Sequence, residues 1–309
     1  MKQLRTLYIL VFFTLILLAG CATKKTISYP DSPLGGVIHI SVDESFQPVI
    51  EEHIKMYEGL YPGTKIIAHY KSEAACLKDL YLDTSIRMVI VTRGLTPKEA
   101  RIYNDSLGYT PFSDKVATDA IAVIVNSSSN DTLFTMDRLK QQLTGKWGSK
   151  QTVVFDGLSA TSSVRFAMDS IVRGAPFDTA VVRAVKNSKE VLNYVALHPD
   201  AIGMVGFSWI GNPEDTAQTN MLKKVKIGYV QCIKCIDSPY VKPTQAGMIT
   251  RRYPLVRGLY YIVKENYSGL GSGLASFLKY ERGQLIFRRA YLAPIMDFGI
   301  RSVKINEKL

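Results

Sequence analysis

Three observations in the sequence predict an α/β fold arranged as two lobes. Short apolar runs alternate with amphipathic stretches along nearly the whole chain, which is the pattern of strands and helices in an α/β sheet. Two such groups lie on either side of about residue 117. In the second group, the turn 156–163 carries four hydroxyls between an apolar strand end and a helix, where free backbone amides can bind an oxyanion. An ordinary Ser/Thr N-cap is the alternative interpretation of that turn.

The N-terminal 34 residues have the pattern of an export signal followed by a tether. Basic residues Lys2 and Arg5 precede the apolar run 7–18, and Leu18-Ala19-Gly20-Cys21 follows it. About a dozen apolar residues are few for a membrane span and typical of a secretory signal. Because the last four residues are similar to a bacterial lipobox, we predict a signal peptide at 1–20, a lipidated Cys21 and a polar tether over 21–34. An uncleaved N-terminal anchor is the alternative.

Composition restricts the class of protein. The chain has 309 residues, of which 47% are hydrophobic, and a formal net charge of +11. This length and apolar content predict one large or two modest globular domains with real cores. A basic exported protein attracts anionic solutes or a membrane surface. The basic residues are spread out and form no recognised binding motif, so we expect no nucleic-acid partner.

Cysteine spacing argues against a metal site. After Cys21 the chain contains Cys76 and the pair Cys232-Ile-Lys-Cys235. A structural zinc site needs a second pair of ligands, and the four histidines offer no matching spacing. We therefore predict no metal and no cofactor. For Cys232 and Cys235, a local disulfide and two free thiols both remain open.

In the first group, strands and helices alternate three times. Alternating or continuous apolar residues predict strands at 37–42, 65–70 and 88–91. Helices are predicted to begin after Asp43, Ser72 and Thr96, because each residue type is a good N-cap and each precedes an amphipathic stretch. This rhythm is typical of a parallel α/β sheet.

The second group and the C-terminal segment continue the alternation. Strands are predicted at 120–126, 153–155, 201–207, 223–230 and 259–263. Helices are predicted at 135–143, 164–171, 189–197, 274–280 and 283–291. A turn rich in glycine, containing Gly269, Gly271 and Gly273, is expected between the last strand and the helix from Leu274.

Several short segments, in their order and spacing, carry a family resemblance. They are Asp43-Glu44-Ser45-Phe46, Thr92-Arg93-Gly94-Leu95-Thr96, 119–126 (DAIAVIVN), 139–146 (LKQQLTGK) with Trp147, 201–207 (AIGMVGF), 253–260 (YPLVRGLY), Gly283-Gln284 with Ile286, and 291–294 (YLAP). Together they resemble the phosphate-binding periplasmic proteins of bacterial phosphate ABC transporters. The similarity covers nearly the whole mature chain.

This resemblance implies a two-lobed periplasmic binding protein fold with two crossovers between the lobes. Lobe I is expected to comprise 35–117 and 250–309, and lobe II 118–249. The resemblance also implies a monomeric, exported lipoprotein on the periplasmic side of a bacterial membrane, anchored there through its lipid. It would bind inorganic phosphate without catalysing a reaction and deliver it to an ABC transporter permease.

In that family, helix-start amides, hydroxyls, an arginine and one acidic residue hold the phosphate. The residues at matching positions in this chain are, from the first lobe, Ser45, Phe46 (through its amide), Thr92 and Arg93, and, from the second, Asp156, Ser159, Thr161 and Ser162. One departure concerns the family's Arg-x-Asp-x-Ser-Gly-Thr loop, because Val154 stands at the arginine position. Either Arg93 or Arg165 is expected to supply the guanidinium, and either 159–161 or 161–163 is the hydroxyl triplet.

Two other functions are alternatives to solute capture. A lipoprotein that senses an anion or scaffolds a partner has the same sequence features, because a permease lies on other chains. An exported hydrolase using a clustered serine is disfavoured, since the chain has no Gly-x-Ser-x-Gly elbow and no histidine near 159–163.

Overall fold

The computed structural model describes residues 30–148, 151–157 and 161–299. The predicted signal peptide at 1–20, the lipidation site Cys21 and most of the tether lie outside the described residues. The chain from Asp31 onwards forms one compact unit. Within the described ranges, no helix combines the length and the apolar character needed to cross a bilayer.

The predicted strands and helices follow one another in the predicted order, and several short elements that were not predicted lie between or after them. The strands are β1 (Gly36–Asp43), β2 (Thr64–Lys71), β3 (Ile86–Val91), β4 (Phe112–Asn126), β5 (Leu133–Phe134), β6 (Thr152–Phe155), β7 (Val182–Ala184), β8 (Ala201–Gly206), β9 (Val225–Ile227), β10 (Tyr229–Gln231), β11 (Tyr240–Val241), β12 (Val256–Val263) and β13 (Ala293–Pro294). The helices are α1 (Gln47–Leu60), α2 (Glu73–Leu82), α3 (Pro97–Leu107), α4 (Met136–Leu143), α5 (Ser162–Phe166), α6 (Ser188–Leu197), α7 (Thr216–Met221), α8 (Gln245–Ile249), α9 (Leu270–Lys279) and α10 (Glu281–Arg289). Short 3-10 turns occupy Glu44–Phe46 and Phe207–Trp209, and a π turn over Ala167–Ile171 extends α5.

The main sheet is mixed, with the order β2-β1-β3-β12-β4-β8-β6-β7, and β13 and β9 also pair with β4. The predicted parallel arrangement is confirmed for β1 with β2 and β3. The centre of the sheet differs from that group, because β12 runs antiparallel to both β3 and β4. The long strand β4 explains the difference: its first part pairs with β12, and Ile121 to Val125 pair with β8. One strand therefore belongs to both halves of the sheet.

Two large hydrophobic cores form the two lobes. The first packs β1, β12, α1, α9 and α10 together, with Phe46 and Tyr261 completely or almost completely buried. The second surrounds residues Ile121 to Val125 of β4 together with β6, β8 and α6. The two-lobed α/β prediction is confirmed. The exact lobe limits stay a prediction, and Tyr253 and Leu255 pack in the second core.

Two local predictions near glycines differ from the structure. The single strand expected at 223–230 is divided at Gly228, where an added Cβ would lie 2.8 Å from the Phe134 ring; β10 then pairs with β5 and β11 in a separate small sheet. The glycine-rich turn is wrong, because α9 begins at Leu270. Gly273 lies inside this helix, where a Cβ would meet the Tyr57 hydroxyl at 2.4 Å. That glycine serves close packing rather than a turn.

For the Cys-x-x-Cys segment, the structure selects one of the two open alternatives. Cys232 and Cys235 form a disulfide, while Cys76 is a buried free thiol. Both sulfurs of the pair are therefore used in a covalent bond. In the described part of the chain, no group of three or more potential metal ligands was found.

Candidate oxyanion-binding site

The first lobe presents Ser45 and Phe46 on the 3-10 turn that follows β1. Asp43 caps this turn, as predicted: its Oδ1 accepts hydrogen bonds from the Ser45 amide at 3.0 Å and from Ser45 Oγ at 2.7 Å. Ser45 and Phe46 are fully buried. Burial raises the pKa of Asp43 to about 6, although the nearby Arg257 charge opposes the increase. The turn thus fixes a hydroxyl and a carboxylate at the lobe boundary.

The second lobe presents the predicted hydroxyls at the start of α5. Thr161 is the N-cap, and its Oγ1 accepts a hydrogen bond from the Val164 amide at 3.4 Å. Ser163 donates to Asp156 Oδ1, and burial raises the pKa of Asp156. Ser162 is fully buried. Ser159 lies outside the described residues, so its predicted role stays a prediction.

Arg257 on β12 joins the two lobes at this site. Its Nη2 donates to Ser45 Oγ at 2.9 Å and its Nη1 donates to Ser162 Oγ at 2.7 Å. The two serine oxygens lie 3.3 Å apart although 117 residues separate them in sequence. The guanidinium carbon is 4.9 Å from the centre of the Phe46 ring. The structure therefore brings Ser45, Phe46 and Ser162 around a single guanidinium.

Asp119 on β4 holds this guanidinium in place. Its Oδ2 accepts from Arg257 Nε at 2.9 Å, and both side chains are almost completely buried. Burial raises the pKa of Asp119, while the Arg257 charge opposes the rise. An added Cβ on Gly206 would lie 2.9 Å from Arg257 Nη2, so this glycine leaves room for the arginine.

Arg257 is not among the ligands predicted from the sequence, although it lies in the segment 253–260 that carries part of the resemblance. One feature of the sequence could have identified Arg257 as a site residue. Arg257 is the one charged residue among the apolar and tyrosine residues of β12 (VRGLYYIV), and a charge is seldom buried without a partner. An arginine within a buried core strand therefore points to a buried carboxylate or a ligand.

A second contact between the lobes involves Thr92, Glu73 and Arg165. Arg165 on α5 donates through Nε to Glu73 Oε2 at 2.6 Å and through Nη2 to Thr92 Oγ1 at 2.5 Å. Thr92 also donates its amide to Glu73 Oε1 at 2.9 Å. Burial alone would raise the pKa of Glu73, but the hydrogen bonds from Arg165 and Thr92 outweigh it and lower the pKa. Arg165, one of the two predicted sources of a guanidinium, thus reaches the first lobe.

Arg93 occupies a different position from the other predicted ligands. Both of its terminal nitrogens donate to the Glu99 carboxylate at 2.8 Å, and Nη1 also donates to the Gly94 carbonyl. Arg93 in turn lowers the pKa of Glu99 to about 2. Among the described residues, the hydrogen bonds of Arg93 stay within its own loop and the start of α3. They do not bring it to Ser45 or Ser162.

Glu44 makes a third contact between the lobes. Its carboxylate accepts from the Ser188 amide at 3.1 Å and from Ser188 Oγ at 2.8 Å, at the start of α6. Its carbonyl accepts from Trp209 Nε1 at 3.2 Å. Burial raises the pKa of Glu44 to about 7, against the effect of the Ser188 hydrogen bonds. Beside this contact, a cleft of about 900 Å³ opens between the lobes.

The histidines give no support to a hydrolase. The two ring nitrogens of His53 lie 2.7 Å from the Val49 carbonyl oxygen and 3.0 Å from that of Gly283, and burial lowers the pKa of His53 to about 4. His39 and His69 contact one another, and His198 contacts the Tyr194 carbonyl. In the described ranges, none of these rings makes a hydrogen bond to Thr161, Ser162 or Ser163, so these hydroxyls lack a histidine base.

Comparisons with known proteins agree with this geometry at the level of the fold. The chain is similar to a solved structure of a phosphate ABC transporter substrate-binding protein with bound phosphate from Clostridium perfringens, with 19% identity over 84% of this chain and 100% of that chain and a TM-score of 0.69. An ABC-type phosphate transport receptor from Vibrio cholerae shows 17% identity over 83% of this chain and 99% of that chain, with a TM-score of 0.61. A full-length OxyR variant from Pseudomonas aeruginosa shows 9% identity, 90% and 77% coverage, and a TM-score of 0.54.

At these identities the solved structures show a shared fold and no more, as the presence of OxyR among them illustrates. No curated protein matches the sequence significantly. The sequence profile of the PBP superfamily domain matches residues 28–281, which is most of the chain. Together with the two-lobed α/β architecture, this match shows that the chain belongs to the PBP superfamily.

Proposed function

We propose that this protein is an exported solute-binding lipoprotein that captures inorganic phosphate between its lobes and delivers it to an ABC permease. In this proposal it acts as a monomer, held by a lipid on Cys21 at the periplasmic side of a bacterial membrane. Similarity to a transporter substrate-binding protein with bound phosphate and to a phosphate transport receptor supports the choice of ligand. The proposed activity is binding without covalent chemistry.

The observation that carries the proposal is the contact of Arg257 with Ser45 and Ser162. A buried guanidinium that already touches a hydroxyl from each lobe provides a cationic centre where the lobes meet. The Ser162 hydroxyl accepts from Arg257 and can direct its own proton to a ligand oxygen, whereas the Ser45 hydroxyl already donates to Asp43 Oδ1. Charge-assisted hydrogen bonds of this type are the strong ones in oxyanion recognition.

We place the phosphate against the Phe46 amide, Ser45 and Thr92 in the first lobe. The second lobe would contribute Asp156, Ser159, Thr161 and Ser162 and the amides that open α5. Arg257 takes the role of the arginine, in place of Arg93, because Arg93 is already paired with Glu99.

The carboxylates around this centre favour a ligand that carries a proton. Asp43 and Asp156 are buried, and burial raises the pKa of both. In its ionised form, either carboxylate accepts a hydrogen bond from hydrogen phosphate and repels a fully ionised anion such as sulfate. We therefore expect selectivity for phosphate and arsenate over sulfate.

Isothermal titration calorimetry of the full-length protein in detergent tests this function. We expect saturable binding of phosphate, similar binding of arsenate and little heat with sulfate. Ser162→Ala should weaken phosphate binding about ten- to a hundred-fold, since it removes a donor to a charged oxygen. Ser106→Ala on the exposed face of α3 is the matched control and should change nothing. Absence of phosphate binding by the wild-type protein would refute the proposed ligand.

A further inference from the structure

The cleft beside the oxyanion centre is larger than a phosphate ion needs. Its volume is about 900 Å³. A water molecule takes about 30 Å³ in the liquid, so the cleft has room for about thirty waters, whereas phosphate has only about five heavy atoms. Clefts of this volume hold small organic molecules.

Closing the lobes further would not remove this space, because the lobes already touch. Ser45 and Ser162 meet through Arg257, Glu73 pairs with Arg165, and Glu44 accepts hydrogen bonds from Ser188. These contacts join the first lobe to the second at three separate places. The cleft is therefore a feature of the closed arrangement.

The charges on the cleft walls favour a cation. Of the described residues that line it, seven are acidic and four are basic. Two of the four basic residues are already paired, Lys71 with Asp79 and Arg289 with Glu214. The inner part of the cleft is lined by Asp43, Glu44 and Asp156. An entering anion meets repulsion there unless it also carries positive charge.

Asp43 supplies an independent sign of a missing partner. Its side chain lines the cleft, and the residue is 2% exposed. Oδ1 accepts two hydrogen bonds from Ser45, whereas Oδ2 is buried without a partner among the described residues. The hydroxyl of Tyr70, which also lines the cleft, is likewise buried without a partner there. Buried polar atoms of this kind are costly unless a ligand or water satisfies them.

We propose that the site also takes a phosphate monoester bearing a protonated amine and binds it more tightly than inorganic phosphate, with the amine in the acidic cleft near Asp43 and the phosphoryl group at the oxyanion centre. This inference rests on the proposed function and specifies its substrate class. The ammonium group would donate to Asp43 Oδ2 and lie close to Glu44. The organic chain between the two charged groups would occupy the space that inorganic phosphate leaves empty.

Calorimetry with three probes tests the inference on the full-length protein in detergent. The probes are inorganic phosphate, glycerol phosphate and O-phosphoethanolamine; the last two both carry an ester chain, but only O-phosphoethanolamine carries an amine. We expect O-phosphoethanolamine to bind at least about ten-fold more tightly than glycerol phosphate, because a charge-assisted hydrogen bond is gained. Asp43→Asn should reduce this preference, while Asp105→Asn on the exposed side of α3 should leave it unchanged.

Equal affinities for the two esters, or a preference for inorganic phosphate over both, would overturn the inference and leave phosphate capture intact. If none of the three probes binds, the proposed function fails and the inference fails with it. If Asp43→Asn does not fold, the inference is still tested, because the affinities of the two esters are compared on the wild-type protein.

Discussion

The Glu44 carboxylate in the first lobe accepts hydrogen bonds from both the amide and the hydroxyl of Ser188 in the second lobe, at 3.1 and 2.8 Å. Ser188 is the first residue of α6, so the carboxylate lies at the positive end of that helix. Glu44 directly precedes Ser45 of the proposed phosphate site. This contact therefore links closure of the lobes to the segment that we expect to hold the ligand.

The first prediction concerns the pH dependence of stability. Burial raises the pKa of Glu44 from its ordinary value of 4.5 to about 7, so the folded protein holds a proton that the unfolded chain releases. The contribution of Glu44 to the free energy of unfolding is therefore largest below pH 4.5 and is lost as the pH rises towards about 7. Glu44→Gln keeps an acceptor but does not titrate.

We expect the stability of Glu44→Gln relative to wild type to increase between those two pH values, by on the order of 2 kcal/mol. Urea unfolding of both proteins at several pH values measures this difference. The measured difference includes the charge coupling of Glu44 to Asp43 and Asp156, since both of these charges raise the pKa of Glu44. A stability difference that does not vary with pH would contradict the assignment.

The second prediction concerns the shape of the Arg257 side chain. Arg257→Lys keeps a positive charge beside Asp119. It loses the two terminal guanidinium nitrogens that donate to Ser45 and Ser162 at the same time. We expect phosphate affinity to fall about ten-fold or more, with the protein still folded. Calorimetry and circular dichroism check the two parts, and Arg101→Lys on exposed α3 is the control. Arg257→Ala is less informative, since an unpaired buried Asp119 is expected to destabilise the fold by about 3–5 kcal/mol.

The third prediction compares Arg93 and Arg165, the two arginines that the sequence suggested as the source of a phosphate-binding guanidinium. Arg93→Ala should change phosphate affinity less than about two-fold, because its hydrogen bonds serve Glu99 and the start of α3. Arg165→Ala should weaken binding by about ten-fold, since it leaves the buried Glu73 without its partner across the lobes. Titration of both variants with phosphate gives the comparison. A larger loss in Arg93→Ala would restore the sequence-based assignment.

The fourth prediction concerns anchoring. If Leu18 to Cys21 form a lipobox, Cys21→Ala should abolish lipid attachment and move the protein out of the membrane fraction. Metabolic labelling with palmitate followed by fractionation measures both effects. Cys76→Ala, which removes a thiol from the interior instead, should still be labelled. Persistent labelling of Cys21→Ala would exclude the lipoprotein assignment.

The local features of the chain were readable from its sequence. Asp43 and Thr96 were predicted as N-caps, and each cap was confirmed by its hydrogen bonds. These features depend on residues within a few positions of one another, so the chain itself carries the information. Similarly, the alternation of strands and helices was sufficient to predict two α/β lobes.

The tertiary structure alone decided which groups meet at the site. Arg257 lies 212 residues from Ser45 and 95 from Ser162, and no local pattern reports such distances. The partners of Arg93 and Arg165 were equally undetermined, because a guanidinium on a long side chain takes whichever carboxylate the fold places nearby. Two α/β lobes, the N-caps at Asp43 and Thr96, and the hydroxyl-bearing helix start were all predictable from the sequence. The arginine at the centre, the contacts between the lobes and the acidic cleft emerge only when distant segments pack together.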